Sequence, residues 1–231
     1  MKKQAFRQAF LDTIPVLTGY LFLGMGFGIL LMEQTGKGVF WAFCMGLFVF
    51  AGSGQYLAVS LLSGGASLLS SAVATLLVNA RHIFYGISLI DAYKGAGKKK
   101  PYMIFALTDE TYSLVTQNEP PKGMTRHQYC FTVSWLNQIY WVAGCVLGNL
   151  AGALIPISFE GVEFVLTALF VTMFVEQWLN NKNHLPAVIG VVSTVLCLIL
   201  FGSEIFLIPS MVMIAVLLTV SRKTGRRKTD A

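Results

Sequence analysis

Charge is what this chain has least of. Asp, Glu, Lys and Arg make up 12% of its 231 residues, about half the share of a soluble domain. Hydrophobic residues make up 55% and the mean hydropathy is +0.66. A soluble fold of this size could not bury so much apolar surface. Cysteine is also sparse: Cys44, Cys130, Cys145 and Cys197 stand singly in apolar runs with no C-x-x-C spacing, which leaves no disulfide framework and gives no support to a metal or redox site. No phosphate-cradling Gly-rich motif ending in Lys occurs, which argues against an ATP-driven pump within this chain. Long polar linkers are missing too. The connectors Gly36 to Gly38, Ser63 to Gly65, Glu119 to Gly123 and Asn180 to His184 leave no room for a separate soluble domain. The formal charge of +6 sits mostly at the ends of apolar runs, at Lys2, Lys3 and Arg7, at Lys94 and Lys98 to Lys100, and from Arg222 to Lys228. Membrane topology accounts for that placement better than nucleic-acid binding does. No cofactor, metal or nucleic-acid partner is expected.

What is present is a series of apolar segments: Phe10 to Met32, Val39 to Leu62, Ala66 to Ile90, Met103 to Val115, Tyr129 to Ile155, Val162 to Leu179, Leu185 to Phe201 and Ile205 to Val220. Most are long enough to cross a bilayer as a helix. The first continues to Met32 without a small-residue cleavage site, so it reads as a retained helix rather than a signal peptide. The pattern predicts an all-α integral membrane protein, a polytopic bundle of about seven or eight transmembrane segments with broken or re-entrant helices, forming one transmembrane domain over residues 1–231. A weak internal repeat runs through it. Tyr20, Gly24 and Gly28 recur in spacing as Tyr140, Gly144 and Gly148, and Gln55-Tyr56-Leu57 as Gln177-Trp178-Leu179, giving half-repeats 8–118 and 128–221. Both Tyr-containing units start from basic flanks, which favours parallel over inverted repeats. Small residues at that spacing let helix backbones approach closely.

Short loops rich in Lys and Arg stay cytoplasmic. The basic amino terminus, the Lys122/Arg126 loop, Lys182 and the basic tail satisfy this rule if every segment spans. The loop from Lys94 to Lys100 does not, since eight crossings place it outside. A re-entrant element in the first half resolves the conflict. The broken stretch Ala51 to Gln55 and the short segment holding Asp109 are the two candidates, because non-helical backbone survives at membrane depth only where protein or water covers it.

Four polar constellations interrupt the apolar pattern. Gly52-Ser53-Gly54-Gln55 is either an unwound, substrate-binding stretch or a flexible turn between helices. Asn79, Arg81 and His82 fall midway through the third segment, where a charge costs roughly 2.5–3.5 kcal/mol on insertion scales unless it faces protein, water or a partner. Arg81 either grips a substrate carboxylate with its planar fork or pairs with Asp109, Glu110 or Glu176. His82 either relays protons or packs through a hydrogen bond. Asp109 and Glu110 are adjacent, hence on different faces of a helix, and either one can carry a coupling proton if desolvated, or both lie solvated at the interface. Asn137 and Trp141, with Tyr140, either line a pocket or belong to an aromatic belt.

Phe50-Ala51-Gly52-Ser53-Gly54-Gln55-Tyr56, Asn79-Ala80-Arg81-His82-Ile83-Phe84-Tyr85-Gly86, Asp109-Glu110-Thr111-Tyr112 and Gly161-Val162-Glu163-Phe164 with Thr167-Ala168-Leu169-Phe170 together resemble the AzlC-type branched-chain amino acid permeases over nearly the whole chain. Two positions depart from the family pattern. Gly54 stands where its Gly-Ala-Ser-Gln has serine, and Glu163 where it has aspartate. The resemblance implies a multi-pass protein of the bacterial inner membrane that exports leucine, isoleucine, valine and methionine on an ion gradient, with a small AzlD-type membrane subunit as partner. Under it, Gly52, Ser53, Gly54, Gln55, Asn79, Arg81, Asn137 and Trp141 are expected at the substrate, and Asp109, Glu110 and His82 on the proton path. Two readings from other classes compete. An intramembrane serine hydrolase would pair Ser53 with His82, although Arg81 beside the histidine lowers its basicity. A passive channel would neither saturate nor run uphill.

Overall fold

The apolar runs fold as helices because a chain away from water has no other local way to pair its N–H and C=O groups. The computed structural model describes residues 2–79, 81–154, 168, 171, 174, 175, 178, 179, 183–206, 209, 210, 212–214 and 216–221, and no strand occurs among them. Helix α1 (Lys2–Asp12) leads through Thr13 into α2 (Ile14–Thr35). Pro15 lies in the first turn of α2, where its missing N–H costs nothing, and Gly36 ends the helix in the left-handed region at φ 65°. The first crossing helix thus starts at Ile14, and Phe10 belongs to α1, because the backbone kinks at Thr13 before that proline. Next in the chain come α3 (Val39–Cys44), a π turn (Met45–Val49), α4 (Gly52–Ser63), α5 (Leu68–Asn79), α6 (Arg81–Ser88), a 3-10 turn (Gly97–Lys99), α7 (Lys100–Phe105), α8 (Asp109–Gln117), α9 (Arg126–Leu154) and α10 (Leu185–Ile205). Among the described residues, only three helices are individually long and apolar enough to cross a membrane: α2, α9 and Leu185–Gly202 of α10.

The chain divides into two compact units, one up to residue 166 and one from 167. The first is organised around α2 and α9. Gly24 lies beside Gly144, so that a Cβ added to Gly24 would stand 3.0 Å from the Gly144 Cα. Four residues on, a Cβ at Gly28 would strike the Cys145 carbonyl and Gly148, and one at Gly148 would strike the Met25 backbone. Because the paired positions climb together, the two helices run parallel. Backbones this close lose any room for side chains and gain dispersion contact along their length. Asn149 fastens the far end, donating through Nδ2 to the carbonyls of Gly28 (3.1 Å) and Lys37 (2.9 Å).

Two hairpins approach this pair from opposite ends. The first begins beside Asn149 at Lys37 and runs down α3 until the Leu47 carbonyl accepts from Gln138 Nε2 at 3.0 Å. There the chain turns. Phe50 adopts φ 40°, ψ 48°, and Ala51 leaves the helical region altogether. Helix α4 then climbs back, Gly52 against the Trp141 ring, the Tyr56 hydroxyl donating to the Leu23 carbonyl (2.7 Å), and Ser63 reaching Gln34 near the end of α2. The second hairpin starts at the other end, where Gly95 packs on His127 and the Lys99 ammonium lies 4.2 Å over the Phe131 ring. Helix α7 rises until the Tyr102 hydroxyl donates to Gln138 Oε1 at 2.7 Å. The helix breaks at Ala106 to Thr108, and α8 descends until Arg126 donates to the carbonyls of Asn118 (2.6 Å) and Val115. Between the hairpins, α5 and α6 pass from one end to the other. Asn79 meets Gly54 midway, Tyr85 stacks on Tyr112 at 4.6 Å, and Leu89 and Tyr93 join the apolar cluster of Ala9, Met103, Tyr129 and Val133.

In the second unit α10 starts behind Pro186 and is interrupted at Gly202 (φ 74°, ψ 173°). The His184 ring stacks on Trp178 at 4.2 Å. Phe174, Trp178, Val188 and Val192 line an apolar cleft of about 510 Å³. Glu160, Glu163, Glu176, Lys182 and the basic tail lie outside the described residues.

Candidate functional site

The two hairpin tips meet beside Tyr20. Its ring stands edge-on to Trp141 (5.3 Å between centroids) and to Phe50 (6.5 Å), and Phe50 in turn lies 6.4 Å from Phe105 at the tip of the opposing hairpin. The Tyr20 hydroxyl donates to Glu110 Oε2 at 2.7 Å and lies 2.6 Å from Thr108 Oγ1. Thr108 caps α8 by accepting the Thr111 N–H at 3.2 Å, the usual service of a threonine at that position. The Oγ1 atoms of Thr108 and Thr111 are 3.0 Å apart, and Asn137 Nδ2 donates to Thr111 Oγ1 at 2.9 Å. Hydroxyls, one carboxylate and one amide thus form a continuous chain from α2 across α8 to α9. On the other side of Tyr20, Trp141 Nε1 donates to Gln55 Oε1 at 2.8 Å. Gln55 and Asn137 are fully buried and Trp141 is 3% exposed, so these polar atoms are satisfied by one another or not at all.

The predicted residues fall into this frame unequally. Gly52 to Gln55 are not unwound: they form the first turn of α4, and the break lies just ahead at Phe50 and Ala51. The reason is local, since the Gln55 N–H already bonds the Ala51 carbonyl at 2.7 Å. The stretch keeps its interest, because the positive end of the α4 dipole is aimed at the tip. Gly54 gives the Asn79 amide its place: an added Cβ would stand 2.9 Å from Asn79 Nδ2. His82 points its Nδ1 at the Asn79 carbonyl (2.9 Å) and its ring edge at Tyr85, a packing arrangement. The side chain of Arg81 lies outside the described residues. Of the two acids, Glu110 is the one on the Tyr20 hydroxyl, while Asp109 opens the helix beside it. Asn137 and Trp141 both reach the meeting point.

Sequence reasoning missed Tyr20, Thr108, Thr111 and Phe50. Thr108 had a legible signal, a threonine followed directly by two acids, which marks a helix start. Tyr20 was visible only as part of the repeat. Phe50 was visible only as the first residue of the Gly-rich motif, and nothing in the sequence signals its positive φ of 40°.

The family match spans both hairpins and the two helices they meet. Residues 15–155 match the AzlC protein family. This chain belongs to the AzlC family. It is 43% identical over 219 residues to the Branched-chain amino acid transport protein AzlC of Bacillus subtilis (strain 168), covering 95% of this chain and 86% of that protein. An uncharacterized membrane protein of Helicobacter pylori (strain ATCC 700392 / 26695) is 41% identical over 95% of this chain and 96% of its own length. Inner membrane protein YgaZ of Escherichia coli (strain K12) is 23% identical over 90% and 86%. No solved structure matches. In this AzlC-family chain the matched region holds every described element of the site, from Tyr20 to Trp141.

Proposed function

We propose that this chain is a secondary transporter that exports leucine, isoleucine, valine and methionine across the bacterial inner membrane, driven by protons and assembled with a small AzlD-type membrane subunit. The observation that carries the reading is the meeting of two broken hairpins at a buried polar chain, in a protein 43% identical to one named for branched-chain amino acid transport. Discontinuous helices near the midplane are where secondary carriers hold substrate and coupling ion. In this reading the first turn of α4, from Gly52 to Gln55, and Arg81 take the substrate carboxylate. Asn79 and Asn137 orient its ammonium, and Phe50 and Trp141 face the branched side chain. Glu110 carries the proton, flanked by Asp109 and His82.

Counterflow decides between carrier and channel. Liposomes holding the protein and loaded with unlabelled leucine should draw in labelled leucine above its outside concentration, with saturation. Flux that never saturates and shows no counterflow would replace the carrier with a channel. The residue assignment falls separately, if the Arg81→Ala/Asp109→Asn double variant exports leucine uphill as well as the natural protein.

A further inference from the structure

We propose that Gln138 is a positioning residue that yokes the two hairpins, so that one tip withdraws only as the other advances. The inference rests on the reading of this chain as a carrier whose site lies between the tips. One turn of α9 holds all four hairpin arms through side-chain hydrogen bonds. Trp141 Nε1 reaches α4 at Gln55, and Asn137 Nδ2 reaches α8 at Thr111. Each of these bonds holds one hairpin, so either can release without disturbing the other. Gln138 serves both hairpins. Its Nε2 donates to the Leu47 carbonyl at 3.0 Å, just before the break at Phe50, and its Oε1 accepts from the Tyr102 hydroxyl at 2.7 Å, one turn before the break at Ala106.

The two bonds coexist, and their chemistry fixes the amide. A carbonyl only accepts, so Leu47 takes the Nε2 end, and the Oε1 end is left as the acceptor for the Tyr102 hydroxyl. In an unbroken helix the Leu47 carbonyl would accept from the Ala51 N–H. That N–H donates to Gln55 Oε1 at 3.3 Å instead, so Gln138 covers a carbonyl that would otherwise be bare at membrane depth. Gln138 is 7% exposed, which leaves little water to replace a lost bond. The Tyr102 ring is seated 5.6 Å from Phe131, also on α9. An entering arm that slides alone by one helical residue, about 1.5 Å, leaves hydrogen-bond range, and the amide can follow it only by abandoning the other arm. Arms that slide together carry the amide with them and keep both bonds. Because the hairpins enter from opposite ends, a common slide along α9 withdraws one tip as it advances the other. One side of the site then opens as the other closes, which is what alternating access requires.

Spin labels on cysteines at Phe48 and Ile104 test this in the full chain in liposomes. Both positions are exposed, one on each hairpin, and in a Cys44→Ala background the remaining described cysteines are buried. The tip-to-tip distance, measured by electron paramagnetic resonance, should form one narrow population with and without leucine. Gln138→Met, which keeps the length of the side chain and removes both polar ends, should broaden or split it. Tyr102→Phe loses a single hydroxyl, should broaden it in the same way, and serves if the glutamine variant does not fold. Adding Tyr102→Phe to Gln138→Met should change nothing further. In transport, both variants should lower proton-driven leucine accumulation by roughly tenfold, within the usual range of coupling between sites, while leucine efflux down its gradient persists or rises. A purely structural role would lower both. An unbroadened distance in the variants overturns the proposal, as does a natural protein whose tips separate on adding leucine. Distances that behave as expected in a protein without leucine counterflow would refute the substrate and leave the yoke standing.

Discussion

At the residue scale, the contact between Gly54 and Asn79 leaves less room for a larger side chain than any other glycine in the first turn of α4 has. The space a Cβ at Gly54 would need is filled by the Asn79 amide, 2.9 Å away. A side-chain amide is the flexible end of its residue, so the obstacle can move, but moving it takes Asn79 off the first turn of α4. Gly54→Ser should therefore fold and lower uphill leucine export by roughly tenfold, since small misplacements at a substrate site cost that much or more. Added to Asn79→Ala, the same change should cost little further, because the displaced group is already gone. Strictly additive losses in that double-mutant cycle would refute the contact's role. The chemistry of this site was only half legible in the sequence. Asn79, Glu110, Asn137 and Trp141 declared themselves as polar or amphipathic groups in apolar runs, whereas Tyr20 did not, because a tyrosine in a membrane helix is ordinary until its hydroxyl partner on another element is known.

At the scale of elements, hydropathy identifies where chain is apolar but not where a helix stops. Val39 to Leu62 reads as one span by length, yet the described chain turns at Phe50 and returns. Met103 to Val115 likewise holds α7, a break and α8. The first turn depends on a partner far away in sequence, Gln138, which supplies the hydrogen bond the Leu47 carbonyl loses, whereas the second is set locally by Thr108, which caps α8. The close approach of α2 and α9 was more legible, because glycines at 24, 28, 144 and 148 have few other uses at that spacing. Arg126 shows how the second hairpin is closed. From the first turn of α9 its guanidinium donates to the last carbonyls of α8, at Val115 and Asn118, and also lies 3.9 Å from the exposed Glu119 carboxylate. Hydrogen bonds from a charged donor to orphan helix-end carbonyls matter more than an exposed ion pair. Arg126→Gln should lower stability by about 1–3 kcal/mol, while Glu119→Gln should stay within about 0.5 kcal/mol. Thermal unfolding in detergent compares the two, and equal losses would show that the ion pair, not the cap, holds the hairpin.

At the scale of the molecule, the fold reconciles charge with topology. Eight crossings would strand the densest internal cluster of positive charge, Lys94 to Lys100, outside the cell. In the structure that loop lies at the start of α9, with Gly95 on His127 and Lys99 over Phe131. Asp12 is there too, accepting from the Tyr129 hydroxyl at 3.0 Å just beyond the basic amino terminus. The Lys122/Arg126 connector leads into the same end of α9. Both hairpins return to the end they came from, so neither reverses the sidedness of the chain beyond it, and only α5–α6 separates Gly65 from Lys94. All the basic clusters of the first unit therefore gather at one end, which the positive-inside rule assigns to the cytoplasm. In a variant with Cys44, Cys130, Cys145 and Cys197 replaced by alanine, a cysteine at Lys98 should react with a membrane-impermeant maleimide in inverted vesicles and not in spheroplasts. A cysteine at Lys3 should behave the same way, and one at Gly65 the opposite way. Labelling at Lys98 from the side opposite to Lys3, with Gly65 on the side of Lys3, would mean that the first hairpin crosses the membrane after all, and the meeting of the tips at Tyr20 could not be the membrane-embedded state.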